Sequence, residues 1–389
     1  MNRRDRRPNH ATETPRARRI REAAERDAAL RAKGIDPLAK GGGRRQGTRK
    51  RRSFKRTLAI ILLVVLLSGC TGSWLLWQRV SAFNDAVSSA PSLSSSLFFP
   101  LMGHDRVNVA MFGYGGPEHT GGTYLADSII IWSIDPSTNT TTMIPIPRDL
   151  WVQGLPEIPD NAKINEAFAD GFVRGGVREA GRFATEVLTK VTGLQIQHWM
   201  AIDFRGFKAM IDKVGGVTVN NPVAFGYTWD ETKYFKKIWD GGHFDAGPIY
   251  LDGSHALDYS RARYASVFSQ ANDFARSVRQ QRVLAALRAK LGSGGLGSIG
   301  PGLGMMDALT GQMATDLSAI DLFLLSSHFN TDRRIELTEG KILKASSNSD
   351  GQYILVVIGR ANGEDYTPLQ AYIRAGLESP IASPSPSPS

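Results

Sequence analysis

Only one cysteine, Cys70, stands in the 389 residues. No internal disulfide is possible, and whatever folds must be held by its own core and by ligands. No repeat of fixed period shows, which argues against a solenoid or an array. Acidic residues are scarce at one end: residues 1–56 hold 20 of the 47 Lys+Arg and 6 of the 37 Asp+Glu. The rest carries 27 basic against 31 acidic residues. The net charge of +10 therefore belongs to a tail, and a nucleic-acid reading is confined to that tail. The tail lacks a helix-turn-helix pattern and interleaved aromatics, so a transcriptional regulator is disfavoured and no nucleic-acid partner is expected.

Charge is absent altogether from "TLAIILLVVLLSGCTGSWLLWQ" (57–78). A run of about 20 apolar residues suits one bilayer crossing. "RKRRSFKR" abuts its near end, and Trp74 and Trp77 mark the far one. By the positive-inside tendency the N-terminus is expected to be cytoplasmic and the remainder outside, a single-pass signal-anchor arrangement. A cleaved signal peptide is a poor alternative, because 56 residues precede the run. "LSGC" also has the look of a lipoprotein cleavage site at Cys70, but the apolar run continues past it. The domain plan is then a basic tail (1–56), a membrane helix (57–78), a Ser-rich stalk (79–103), a globular unit (104–378) and a Pro/Ser tail (379–389).

Within the globular unit, apolar alternation in "RVNVAMFGYG" predicts a strand and turn. "DSIIIWSID" and "TTTMIPIP" predict a hairpin closed by "PSTN". Helical spacing follows in "GGVREAGRFATEVLTKVTG", "FRGFKAMIDKVGG", "DFARSVRQQRVLAALRAKLGSGG", "DLSAIDLFLLSSH" (capped by Asp316) and "DYTPLQAYIRAGL" (opened by Pro368). Strands alternating with helices predict an α/β (α+β) fold, a mixed sheet with flanking helices.

Carboxylates are missing where they would be most expected. "RARYASVFSQANDFARSVRQQRVLAAL" (261–287) holds five arginines and one acid, Asp273. Read as extended, Arg261 and Arg263 share a face. Arg276 and Gln280 share a face near the start of the long helix, where free N–H groups favour an anion. Guanidinium forks match phosphate, and "RVLAAL" adds an apolar side, so the expected ligand has a phosphate head and a greasy tail. The competing reading is a set of surface ion pairs, with Asp273 capping the helix and bridging Arg276. In "IPIPRDLW" and "LADSIII", Arg148, Asp149 and Asp127 fall at one end of the predicted hairpin. Two hard carboxylates beside arginines suit Mg²⁺ or Mn²⁺ with phosphate oxygens completing the shell.

In order along the chain, "VNVAMFG…LADSIIIWSIDPSTNTTTMIPIPRDLWV", "KINEAFADG", "AIDFRGFKAMIDKVGGVTV", "LDGSHALDYSRARY" and "DFARSVRQQRVLAAL" resemble a LytR-CpsA-Psr domain over about 106–290. The resemblance implies a membrane-anchored phosphotransferase that moves a glycopolymer from an undecaprenyl-pyrophosphate carrier to peptidoglycan through a phosphodiester. It implies that Arg148, Arg261, Arg263, Arg276 and Gln280 grip the pyrophosphate, with Asp127 and Asp149 on the metal side. Lys163 and Asn165 would support the pocket wall. It also implies a hydrophobic tunnel for the polyprenyl chain between the sheet and helices such as 275–290. The pattern departs from the family at two places. Gly115 stands where the family's Gly-x-Asp has its aspartate, and Leu125 where Arg-x-Asp has its arginine. The glycine-rich loop "GYGGPEHTGGTYLAD" fills that gap, with its backbone N–H groups and His119 as candidate replacements. The departure keeps a second reading open, a membrane-anchored protein that binds polyprenyl phosphate or wall polymer without catalysis.

Overall fold

The structure, a computed structural model, describes residues 14–34, 47–90, 96, 101, 106–119, 122–158, 160–290, 299–328 and 333–379. The Pro/Ser tail lies outside them except for Ser379, as do parts of the basic tail and most of residues 91–103. The helices are α1 (Pro15–Ala32), α2 (Gly47–Val87), α3 (Glu166–Thr192), α4 (Phe204–Lys213), α5 (Glu231–Phe235), α6 (Gly253–Arg261), α7 (Asp273–Lys290), α8 (Ile299–Leu309), α9 (Ala319–His328) and α10 (Thr367–Glu378). The strands of the first half are β1 (Val107–Tyr114), β2 (Ala126–Asp135), β3 (Thr140–Pro145), β4 (Trp151–Val152), β5 (Ala162–Lys163) and β6 (His198–Asp203). Then come β7 (Val217–Asn221), β8 (Phe225–Thr228), β9 (Gly242–Phe244), β10 (Gly247–Leu251), β11 (Tyr264–Ala265), β12 (Met313–Thr315), β13 (Arg333–Arg334), β14 (Leu343–Ser347) and β15 (Tyr353–Val357). A 3-10 turn, Phe268–Gln270, precedes α7.

The chain divides into two units, Met1–Ser73 and Trp74–Ser389. In the first, α1 is exposed along its length and carries an Arg18–Glu22 pair one turn apart. The stretch Leu58–Val87 within α2 is a helix long and apolar enough to cross a membrane. In the second unit the end of α2 packs into the domain. Phe83 and Val87 are buried with Ala319, and the Ala319 N–H donates to Asn84 Oδ1 at 3.0 Å. Residues 79–87, expected as the start of a stalk, are therefore helical and packed.

A six-stranded mixed sheet in the order β12-β6-β1-β2-β3-β13 centres the second unit. The expected hairpin is there: β2 and β3 pair antiparallel, with Ile131 opposite Ile144. β1 lies between β2, antiparallel, and β6, parallel. One face packs on α3 and α10 through Phe112, Phe168, Phe183 and Ile373, all buried. Contact there is close enough that Gly181 must be glycine: a Cβ would lie 2.2 Å from the Trp199 ring. On the opposite face, Ile130, Trp132 and Met143 meet Leu284 of α7.

A second apolar cluster gathers Ile211, Val219, Phe225, Tyr259 and Val283 from α4, β7, β8, α6 and α7. It carries the arginine-rich stretch, and here three local expectations give way. Arg261 is not extended but ends helix α6, whose N-cap Asp252 takes the His255 N–H. The cap of α7 is Asn272, which accepts from the Ala275 N–H at 2.8 Å. Ser318 and Asp321 cap α9 reciprocally, because Asp316 is spent on the Trp199 N–H.

Candidate functional site

Hairpin register places the first wall. The Ile146 N–H donates to Ile129 O, so the ladder runs on past β3 and delivers Arg148 opposite the start of β2. Asn165 stitches the end shut: its N–H donates to Arg148 O, and its carbonyl accepts from Ala126 N–H. Arg148 Nη1 then reaches Asp127 Oδ1 at 2.7 Å, and its Nε stands 3.5 Å from Asp149 Oδ2. Lys163 Nζ closes on Asp149 Oδ1 at 2.7 Å.

The second wall is the start of α7. Arg276 and Gln280, one turn apart, line the same cleft as Asp127, Ser128 and Arg148. Ser128 Oγ donates to Gln280 Oε1 at 3.1 Å and ties the two walls together. Pro145, Ile146, Phe274 and Leu337 supply the apolar lining. Deeper in, the sheet face closes against Leu284, so the space between sheet and α7 is a cleft ending in packed side chains.

Arg261 stands beside this cleft. Its guanidinium lies 4.3 Å from the Phe204 ring and 5.4 Å from the Trp229 ring. Its Nη2 is 3.4 Å from His119 Nε2; arginine has no acceptor, so the imidazole accepts there. Burial pulls the Arg261 pKa down from its usual value, while Asp127 and Asp258 oppose the shift. Arg263 sits over the Tyr264 ring at 5.7 Å, outside the cleft lining. Tyr264 is pushed up by burial and feels both Arg263 and Arg148.

His119 answers the gap at Gly115. A Cβ at position 115 would lie 2.6 Å from the His119 ring. The imidazole fills the room a side chain there would need. From there its Nε2 faces the Arg261 guanidinium.

Sequence reasoning missed two arginines. Arg279, read only as one more charge on the helix, is wholly buried. It donates to Tyr259 O, to both Gln270 oxygens and to Ala262 O. Burial pulls its pKa down to about 10, and the group stays charged at neutral pH. Arg334, on edge strand β13, lines the cleft and donates to Gln281 Oε1 at 2.6 Å and Ser277 Oγ at 3.3 Å. Burial lowers its pKa as well. The consecutive Arg333 and Arg334 were visible, but their pairing with β3 joins residues far apart in the chain.

The acids do not fit a two-carboxylate cation site. Asp149 is 3% exposed and already engaged by Lys163 and Arg148. Among the described residues no group of three or more His, Cys, Asp or Glu gathers for a metal. Two carboxylates line the cleft, Asp127 beside Arg148 and Glu336 beside Arg334.

A family model, described as the LytR_cpsA_psr family, matches residues 79–365. The chain is 30% identical over 332 residues to the polyisoprenyl-teichoic acid–peptidoglycan teichoic acid transferase TagU of Oceanobacillus iheyensis, covering 82% of this chain and 96% of that one. It is 27% identical over 302 residues to TagV of Bacillus subtilis, covering 76% of this chain and 67% of that one. The crystal structure of B. subtilis TagV superposes with a TM-score of 0.52 at 22% identity, over 71% of this chain and 97% of that one. A Streptococcus agalactiae protein gives a TM-score of 0.54 at 21% identity, over 74% and 93%.

Proposed function

The chain belongs to the LytR_cpsA_psr family, and from that premise we propose that it transfers a glycopolymer from a polyprenyl-pyrophosphate carrier to peptidoglycan. The observation that carries this reading is the meeting of Arg148 and Arg276 across one cleft, with Gln280 between them and an apolar floor beneath. Its chemistry suits a lipid diphosphate and little else of biological size.

Magnitudes favour exchange of the resting ion pair for substrate. Arg148 and Asp127 are only about one-fifth exposed, and the desolvation of both groups offsets most of the Coulomb gain of their pairing. A charge-assisted hydrogen bond to phosphate is worth about 1.5–3 kcal/mol. Arg148 therefore turns onto the diphosphate and leaves Asp127 free to act as base. An acceptor hydroxyl attacks the glycan-side phosphorus and gives its proton to Asp127. The phosphoanhydride bond breaks, and polyprenyl phosphate leaves with charge neutralised by Arg148, Arg276 and Arg261. A Mg²⁺ or Mn²⁺ would come with the substrate phosphates and supply further charge neutralisation there, leaving Asp127 to take the proton. Arg263 acts from the rim, and Lys163 and Asn165 hold the wall.

The polyprenyl chain enters the apolar side of the cleft and parts Leu284 from Ile130 and Trp132. One membrane crossing before residue 79 leaves the N-terminus cytoplasmic and the domain outside, near membrane lipid. The test uses the full chain in proteoliposomes with a lipid-pyrophosphate glycan and peptidoglycan. Wild type releases polyprenyl phosphate, and Arg276→Ala retains the lipid unchanged with normal folding. Wild-type turnover by that variant overturns the assignment. Retention of the lipid unchanged by wild type favours the non-catalytic binder.

A further inference from the structure

Beside the cleft, the chain exposes what a folded domain normally covers. After β8 come Trp229, Phe235 and Ile238, which are 46%, 74% and 46% exposed. Phe268, 88% exposed, lies in the 3-10 turn. Both α5 and that turn pack on β11, the short strand that follows Arg263. Four large apolar side chains thus rise from two neighbouring elements on the arginine side of the molecule. Trp229 also lies beneath Arg261, which makes the patch continuous with the anion site.

The charges around the patch are sorted. Asp230 Oδ1 is occupied by the Thr232 and Lys233 N–H groups, and Glu231 is engaged by Tyr264. Asp240 pairs with Lys233. Lys236 and Lys237 are exposed and form no ion pair among the described residues. Lys237 takes a left-handed backbone, φ 58°, and carries the chain into Ile238. Phe235 and Ile238 flank the two unpaired lysines, while Asp230, Glu231 and Asp240 are each held by a donor; such a run suits a surface that enters the headgroup layer of an anionic bilayer. A sugar platform fits less well. Tyr234 and Trp239 turn their rings onto one another and Tyr234 onto Tyr264, and isoleucine offers no stacking face.

We propose that residues 229–238, with Phe268, dock the domain onto an anionic lipid surface and hold the mouth of the arginine cleft at headgroup depth. The proposal rests on the transfer reading above, because a carrier diphosphate sits at that depth and reaches the cleft without leaving the bilayer. Each of Phe235 and Ile238 removed from lipid weakens docking by about tenfold. Each lysine lost near an anionic surface weakens it by roughly fivefold.

Cys70 being the only cysteine, the test is direct. Full-length Cys70→Ser protein carrying Phe235→Cys, Ile238→Cys or, as control, the 86% exposed Val173→Cys is labelled with an environment-sensitive dye. Each is placed in proteoliposomes containing phosphatidylglycerol and spin-labelled lipid. Labels at 235 and 238 shift to the blue and are quenched; the label at 173 is not. Equal behaviour at all three positions overturns the proposal. So does protection of 235 by soluble peptidoglycan fragments in place of lipid. Lys236→Glu with Lys237→Glu lowers quenching at 235 on anionic vesicles only, and an unchanged signal refutes the charge contribution. Phe235→Ser with Ile238→Ser slows transfer from a bilayer carrier while sparing a short-chain soluble analogue; equal loss on both overturns docking as the cause. The label readout needs no turnover. An inactive wild type with quenched labels removes the transfer reading and leaves the docking surface standing.

Discussion

The two walls of the cleft are built in opposite ways. Asp127 and Arg148 stand on a hairpin that belongs to the main sheet, with Ile129, Ile131 and Ile144 buried beneath them. Hydrophobic burial over many residues fixes that wall. Arg261, Arg263, Arg276 and Gln280 stand beside the smaller cluster, to which the chain between α6 and α7 gives mostly small side chains: Ala262, Ala265, Val267 and Ala271. There a polar brace takes over: Arg279 donates to carbonyls at 259, 262 and 270 and so ties the end of α6 to the turn before α7. Arg276 and Arg279 are three residues apart on one helix. One guanidinium lines the cleft and the other is a structural staple. Charge density in a sequence therefore does not divide evenly into binding charge.

Removing the staple should produce the largest effect. Arg279→Met fills similar volume but leaves several buried carbonyls without donors. Its cost is expected at about 3–5 kcal/mol, a figure seen when a buried charged partner is deleted. Thermal unfolding followed by circular dichroism reads it, and a melting curve like that of wild type would show that the helical wall does not depend on the brace. The sheet wall has its own, smaller counterpart in Lys163 and Asp149. Lys163→Met leaves Asp149 buried with only the longer Arg148 contact, and a loss of about 2–4 kcal/mol is expected. Adding Asp149→Asn should recover part of it, because the charge that needed a partner is gone. A double variant no more stable than Lys163→Met alone would mean that the lysine acts by packing.

How much of this was legible from residues alone follows the same division. The hairpin is a local object: alternating apolar residues around "PSTN" predict β2 and β3, and that predicts Asp127, Arg148 and Asp149 at one end, as found. What local pattern does not carry is which acid keeps its charge available. Asp149 is buried where a distant strand joins: the Leu355 N–H donates to Asp149 O, and Leu150 bridges Leu355, some two hundred residues away. In the second wall, the arginine alternation that ends "LDGSHALDYSRARY" predicts an extended pair, yet Asp252 caps a helix that runs to Arg261. The Asx cap was present in the sequence; the competing signal was the arginine alternation. Arg279 and Arg334 were not legible, since their partners are carbonyls and side chains brought in by tertiary contact.

The smallest expected change in stability is at Asp127, and it sharpens the comparison most. The amide oxygen left by Asp127→Asn still accepts from Arg148, which also keeps Asp149, so the substitution should alter unfolding free energy by only about 1 kcal/mol. Burial of Asp149, in contrast, ties the neighbouring carboxylate to the fold. If Asp127 is the base, the same substitution lowers transfer by about 10²–10⁴, the contribution of a positioned proton acceptor. Loss of activity at unchanged stability separates the working carboxylate of the sheet wall from the structural one four residues past the end of β3. A large loss of stability with activity kept would place Asp127 among the braces, and the base would have to be sought on the helical wall.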